Sequence, residues 1–104
     1  MRIVVGIVAV VLLSSCVHTV SVRDYNNYSF VLVQKGLYKE AEFYLLKAEK
    51  TEPENYRIKN NLAIVYEALG DKEKAKRYYE QSLLLHKTTN IQKNYENFKT
   101  DTNR

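Results

Sequence analysis

The sequence repeats a set of landmark residues at a fixed interval, and this interval constrains the fold more than any other feature. Four pairs of residues lie 34 positions apart: Gly36 and Gly70, Ala41 and Ala75, Tyr44 and Tyr78, Ala48 and Ser82. A fixed period of this length is typical of proteins built from similar units that stack side by side. Because one such unit cannot bury its apolar face alone, we predict that neighbouring units share a continuous core.

Each unit has the pattern of a helical hairpin. In the first unit, Tyr25, Tyr28 and Leu32 fall at i, i+3 and i+7, on one face of a helix. Gly36 can adopt a left-handed backbone without steric cost and therefore ends that helix. A second apolar face follows, made of Ala41, Phe43, Tyr44, Leu45 and Ala48. The second unit repeats the scheme with Leu62, Ala63, Tyr66, Gly70, Ala75, Tyr78, Tyr79 and Ser82.

A glycine, an alanine five residues later and a small residue seven further on resemble the tetratricopeptide repeat. The resemblance implies an all-α fold, a short α-solenoid of two helical hairpins, residues 22–55 and 56–89, with a capping helix behind them. It also implies close helix packing at the small residues, which are Gly36, Ala41, Ala48, Gly70, Ala75 and Ser82. The second repeat has Lys59 where the first has the aromatic ring of Tyr25. We expect Ile58 to fill that space and the Lys59 stem to lie along the apolar surface.

A further face of each first helix is a candidate binding surface. Its residues recur in the two repeats as Arg23, Asn26, Phe30 and Val33, then Arg57, Asn60, Ile64 and Glu67. By resemblance to the family, this face lines a concave groove that takes an extended or helical peptide. The alternative is that Phe30 and Ile64 pack on the N-terminal linker or on the C-terminal segment. Asn26 and Phe30 replace the lysine and asparagine of the family's carboxylate clamp, so we expect no such clamp.

Residues 1–15 have the pattern of a secretion signal. Arg2 gives a charged start, and residues 3–13 are apolar. Eleven helical residues reach only about 16 Å, against an apolar bilayer core of about 30 Å, which argues against a stable membrane span. The sequence LSSC at residues 13–16 then resembles the lipobox of bacterial lipoproteins.

The lipobox resemblance implies that Cys16 carries a membrane anchor. In that family the thiol forms a thioether to diacylglycerol, and the freed amine often receives a fatty acid such as palmitate. Val17 is not the aspartate that retains lipoproteins in the inner membrane, which favours the outer membrane, facing the periplasm. Residues 16–21 are then a short linker. The alternative is an ordinary signal-peptidase site, which leaves Cys16 as a free thiol in a secreted protein.

Both ends of the repeat region carry helix signals. Ser21 and Asp24 have the spacing of a capping box, which predicts that the first helix begins there. Residues 90–104 are predicted to be a capping helix, over 90–99, and a frayed tail. The helix has one apolar face, made of Ile91, Tyr95 and Phe98. A terminal repeat needs such a helix, because its outer side must be polar.

Composition and motifs argue against catalysis and nucleic-acid binding. A net charge of +4 is mild for 104 residues and is accounted for by solubility. The basic helix over residues 71–85 contains the spacings for two ion pairs, Glu73 with Arg77 and Lys76 with Glu80. With two histidines and no glycine-rich phosphate loop, the sequence predicts no enzyme, no metal and no cofactor.

The resulting hypothesis is a lipid-anchored protein–protein interaction or assembly-factor module of the bacterial cell envelope. Its partner would be another envelope protein, of the outer-membrane, pilus or secretion machinery. Alternatives are a small structural or accessory subunit that pairs with a fixed partner or with itself as a homo-oligomer, and a secreted, non-lipidated binding protein.

Overall fold

The structure is a computed structural model that describes residues 21–104. Within this range the chain is all-α, with no strand. The five helices are α1 (Val22–Gln34), α2 (Tyr38–Thr51), α3 (Tyr56–Ala68), α4 (Lys72–Leu85) and α5 (Thr89–Thr102). α1 packs on α2 and α3 on α4, so that each repeat is a hairpin. α3 also packs on α2 and α1, and α5 packs on α4, which gives the predicted short solenoid with a final helix.

The two glycines of the repeat end the first helix of each hairpin. Gly36 and Gly70 have φ values of +73° and +82°, a backbone conformation that side chains with a Cβ rarely adopt. After α1, the Leu37 N–H donates to the Leu32 carbonyl at 2.9 Å, and the Gly36 N–H donates to Val33 at 3.0 Å. The same pair of bonds follows α3. This is the Schellman arrangement, and it turns the chain back into the second helix of each pair.

Side chains cap four of the five helices at their N-termini. Ser21 and Asp24 form the predicted capping box, and the hydrogen bonds from Ser21 lower the pKa of Asp24. Asp71 caps α4 by accepting from the Lys74 N–H at 3.1 Å. Leu37, at the matching position before α2, makes no side-chain cap bond. Asn55 and Thr88 cap α3 and α5.

The core lies between the helices of each hairpin and between the two hairpins. All four predicted small packing residues outside the turns are fully buried, namely Ala41, Ala48, Ala75 and Ser82. The Ser82 hydroxyl donates to the Tyr56 carbonyl at 2.7 Å, which satisfies a polar group inside the contact. Their complete burial is consistent with the packing role predicted for these residues.

The second repeat has Ile58 and Lys59 at the place of its missing aromatic residue. Ile58 is buried, and Lys59 stays beside it with its ammonium 2.9 Å from a carboxylate oxygen of Glu49. The other Glu49 oxygen accepts from the Tyr78 hydroxyl at 3.1 Å. The Lys59 nitrogen also lies 5.4 Å from the centre of the Tyr78 ring. A charged pair thereby joins the two hairpins at the place where the family has an aromatic contact.

The final helix is longer than predicted at both ends. α5 begins at Thr89 because Thr88 caps it, accepting from the Ile91 N–H at 3.2 Å. It continues through Thr102 instead of ending at residue 99. A 2.8 Å ion pair between Lys99 and Glu96 lies in this last part of the helix. Residues 99–102 are therefore helical, where the sequence suggested a frayed tail.

The apolar face of α5 packs on the second repeat, as predicted. Ile91 and Phe98 are buried. The rings of Tyr95 and Phe98 lie 5.7 and 5.5 Å from that of Tyr79 on α4, at aromatic contact distance. α5 therefore covers an aromatic surface that the second hairpin would otherwise expose.

Candidate functional site

Side chains of α1, α3 and α5 meet on one surface of the solenoid, which we call the groove face. It contains two hollows. The basic hollow is lined by Asn26, Tyr56, Arg57, Asn60, Asn61, Thr88, Asn90 and Ile91. The acidic hollow is lined by Val33, Tyr38, Ile64, Glu67, Ala68, Tyr79, Asn94, Asn97 and Asp101. α1, α3 and α5 contribute to both hollows, so the first helix of each repeat and the final helix build one surface. The acidic hollow also contains Tyr38 of α2 and Tyr79 of α4.

Two asparagine pairs link the helices of the groove face. The Asn61 amide nitrogen donates to the Asn26 amide oxygen at 2.8 Å, which joins α3 to α1. The Asn94 amide nitrogen donates to the Asn60 oxygen at 3.4 Å, which joins α5 to α3. Each side chain uses only one of its two polar atoms in these bonds. An amide with a donor or an acceptor to spare can bond a peptide backbone, which offers both.

The acidic hollow combines carboxylates with an apolar floor. Glu67 accepts from the Tyr79 hydroxyl at 2.7 Å, which fixes the carboxylate in place. Burial, together with this hydrogen bond, raises the pKa of Tyr79 well above its ordinary value, so the hydroxyl stays a donor. Asp101 supplies a second carboxylate, and Val33 and Ile64 supply apolar surface. Such a hollow suits a long cationic side chain, whose stem is apolar and whose end is charged.

The basic hollow has the opposite charge. Arg57 is exposed, and its Nε donates to the Tyr56 hydroxyl at 3.2 Å. The Tyr56 ring is in turn 4.7 Å from that of His86, the residue that follows α4. This contact gives His86 a packing role. A guanidinium held at one edge beside amide side chains is suited to a carboxylate, which it can bind through two parallel hydrogen bonds.

The structure distributes the eight predicted groove residues unevenly. Val33, Ile64 and Glu67 line the acidic hollow, and Asn26, Arg57 and Asn60 line the basic hollow. Arg23 and Phe30 line neither, and 55% of Phe30 is exposed. The alternative, that Phe30 and Ile64 pack on the N-terminal linker or the C-terminal segment, stays a prediction. Ile64 packs against the core, and α5 lines the same hollow.

Sequence reasoning missed the groove residues of the final helix. Asn94, Asn97 and Asp101 line the acidic hollow, although only the apolar face of that helix was assigned a role. A signal for Asn94 was present, because Asn26, Asn60 and Asn94 follow one another at the repeat interval. An asparagine at this position of the groove face therefore recurs in both repeats and in the final helix.

The basic helix α4 pairs its charges differently from the prediction. Lys76 and Glu80 lie 3.9 Å apart, as expected. Within residues 21–104, Glu73 and Arg77 form no ion pair, whereas Lys74 lies 3.9 Å from Asp71, the capping residue of the same helix. The carboxylate of the N-cap residue Asp71 thus attracts one lysine of the first turn. Mixed signs keep this surface solvated.

The predictions on the leader, the lipid anchor and bound ligands are not tested by the fold. The leader and Cys16 lie outside the described residues. Among residues 21–104, no helix is long and apolar enough to cross a membrane. In the same range, no group of three or more histidine, cysteine or acidic side chains is placed to hold a metal ion.

The family model of the tetratricopeptide repeat matches residues 32–93, which is more than half of the chain. The chain therefore belongs to the tetratricopeptide repeat family, as the spacing of its glycines and small residues predicted. Repeats of this family typically mediate protein–protein interaction, and the match makes this chain a protein–protein interaction module of that class. No curated protein matches the chain in sequence.

Proposed function

We propose that this chain is a lipid-anchored protein of the bacterial cell envelope that holds an extended segment of a partner protein in its groove face. The observation that carries the proposal is the pair of asparagine bonds across α1, α3 and α5. These bonds fix amide groups at regular positions along one surface. A peptide backbone in extended form presents donors and acceptors at regular positions too, and it gains its affinity from such bonds.

The two hollows give the bound segment a direction. A lysine or arginine of the partner fits the acidic hollow, where Glu67 and Asp101 supply carboxylates. An acidic residue fits beside Arg57 in the basic hollow. A segment with a cationic and an acidic residue a few positions apart satisfies both, and the reverse orientation brings like charges together. Opposed charges of this kind set register and specificity more than affinity.

The envelope location rests on the sequence. The lipobox-like residues 13–16 end at Cys16, and Ser21 follows Cys16 by only five positions. Five extended residues span at most about 18 Å, so an anchored chain holds the groove face close to the bilayer. A module in that position is suited to an assembly factor that receives a segment of an outer-membrane, pilus or secretion component.

The test is a comparison of two matched asparagine variants. Asn60→Asp keeps the oxygen that accepts from Asn94 but loses the amide donor offered to a ligand. Asn27→Asp places the same change on the exposed surface of α1. Wild-type and variant chains are used to capture partners from detergent-solubilised envelope, and bound proteins are quantified by mass spectrometry.

We expect one set of partners to be recovered with wild type and with Asn27→Asp. With Asn60→Asp the recovered amount should fall about tenfold, as for one lost hydrogen bond in a desolvated site. Equal recovery with all three chains would show that the partner binds elsewhere. Circular dichroism of the three chains serves as the control for folding.

A further inference from the structure

The first helix exposes apolar residues at positions that the second repeat buries. Tyr28 and Val31 on α1 precede Leu62 and Val65 on α3 by one repeat interval. Leu62 and Val65 are both 0% exposed, whereas Tyr28 is 49% and Val31 42% exposed. The residue types are apolar in both repeats, so the difference lies in what covers them.

The covering element for α3 is the preceding repeat. Leu32 on α1 and its counterpart Tyr66 on α3 are both buried. Each of these two helices packs on the second helix of its own hairpin. α3 additionally packs on α1 and α2, and this extra contact accounts for the burial of Leu62 and Val65. Among residues 21–104 no helix precedes α1. Within that range, Tyr28 and Val31 therefore form an apolar face of α1 on which no preceding helix packs.

This open surface continues onto the second helix. The Tyr28 ring meets that of Tyr44 edge-on at 5.0 Å, and Phe43 meets Tyr44 at 5.2 Å. Phe43 is 54% exposed, and the Lys47 ammonium lies 4.5 Å from the centre of its ring. We call this surface of α1 and α2 the N-terminal end face. Contiguous apolar surface of this kind marks an interaction site in a folded protein.

The charges at the ends of the apolar stripe indicate what covers it. Asp24, Tyr28, Val31 and Lys35 follow one another at spacings of four, three and four residues. This is the spacing of a helix seam that packs on another helix. The acidic residue is at one end and the basic residue at the other, and both are exposed.

A second copy of the same helix fits this stripe in one direction only. In an antiparallel pair whose twofold axis passes between Tyr28 and Val31, each Tyr28 lies opposite the other chain's Val31. The same pairing places Asp24 opposite Lys35 at both ends. A parallel pair would place Asp24 against Asp24 and Lys35 against Lys35. The stripe is therefore complementary to itself, as the two identical halves of a twofold dimer contact must be.

We propose that the N-terminal end face binds the same face of a second copy of this chain, with the two α1 helices antiparallel. The dimer leaves both groove faces open, since α1 contributes different residues to each surface. The assembly then offers two binding sites for partner segments. The proposed dimer does not depend on the identity of the partner protein or on the proposed lipid anchor.

Disulfide formation between two copies tests the pairing directly. Two differently tagged full-length chains, one carrying Tyr28→Cys and the other Val31→Cys, are co-expressed, purified in detergent and mildly oxidised. We expect a disulfide between the two tagged chains. Chains that both carry Lys35→Cys should not be joined, because the antiparallel arrangement separates these residues by the length of the stripe. Wild type gives the background from Cys16.

Light scattering of the full-length chain in detergent provides a second measurement. Val31→Lys keeps a good helix former at an exposed site, so the fold should survive. We expect a dimer for wild type and a dissociation constant about a hundredfold higher for Val31→Lys, since each dimer carries the change twice. Leu84→Lys, at an 88% exposed leucine of α4, is the matched control and should remain dimeric.

Three results would overturn the proposal. The first is a wild-type chain that is monomeric at high concentration. The second is a Val31→Cys chain that forms its disulfide internally or with a foreign protein, which would assign the face to residues 1–20 or to another partner. The third is an efficient Lys35→Cys link, which would indicate parallel helices. Asn60→Asp should stay dimeric. A loss of partner binding at the groove face can therefore be distinguished from a loss of dimerisation.

Discussion

Enlarging Ala75 is the sharpest perturbation of the repeat packing. Ala75 lies on α4 and is 0% exposed, and Ala41 is equally buried at the same position of the first hairpin. A leucine at position 75 adds three heavy atoms to a contact without space for them. The helix itself tolerates the change, because leucine and alanine are both good helix formers. Any loss of stability therefore reports the close approach of α4 to its neighbours.

The expected loss follows from the cost of overpacking a filled core. That cost is about 1–3 kcal/mol, and a domain of this size loses about 4–8 °C in Tm for each kcal/mol. We therefore expect Ala75→Leu to unfold at a temperature lower by about 10 °C. Thermal melts followed by circular dichroism, at one fixed protein concentration, measure the shift.

Arg77→Leu is the control, since Arg77 is an exposed residue of the same helix. It introduces the same side chain without entering the core, and its Tm should stay close to that of wild type. An Ala75→Leu chain that melts with wild type would show that the helices of the hairpin do not meet at Ala75, and the repeat packing described above would be wrong.

Three further predictions concern the anchor, the final helix and a tyrosine. Metabolic labelling with a fatty-acid analogue should mark wild type and not Cys16→Ser, and labelling of both chains would contradict lipidation. A chain that ends at Thr88 lacks α5, exposes Tyr79 and should unfold or associate in ultracentrifugation; an equally stable monomer would show that α5 is dispensable. Burial and the 2.8 Å hydrogen bond to Glu80 raise the pKa of Tyr95 to about 12. Its stabilising effect is complete below about pH 10 and lost toward about pH 12, so Tyr95→Phe should flatten the decline of stability in that window, and an unchanged decline would contradict the assignment.

The helices and their packing were predictable because they depend on local chemistry that repeats. Gly36 and Gly70 fix the turns through a backbone conformation, and the Ser21–Asp24 capping box fixes the first helix start. Ala41 and Ala75 are buried because only small residues fit between close helices. Each of these effects involves residues near one another in the sequence or at one repeat position, so spacing alone reveals them.

The site was less predictable because it depends on how a third helix is placed. The N-cap of α5, Thr88, follows the N-cap of α3, Asn55, at one position less than the repeat interval. Phe98, which follows Ile64 at the full repeat interval, is buried and is not part of the groove face. The exposure of Tyr28 was hidden for a similar reason. Its residue type resembles that of Leu62, and only the absence of a helix packed before α1 in residues 21–104 separates the two.

Binding of the partner at the groove face is the central claim, and site-specific photo-cross-linking in the intact envelope tests it most directly. A photoreactive residue is placed at Asn97, which is exposed and lines the acidic hollow, and in a second chain at Leu84, which is exposed on α4. We predict a covalent adduct with a protein partner from position 97 that Asn60→Asp diminishes, and none with that partner from position 84. An adduct that forms from position 84 and not from position 97 would contradict binding at the groove face.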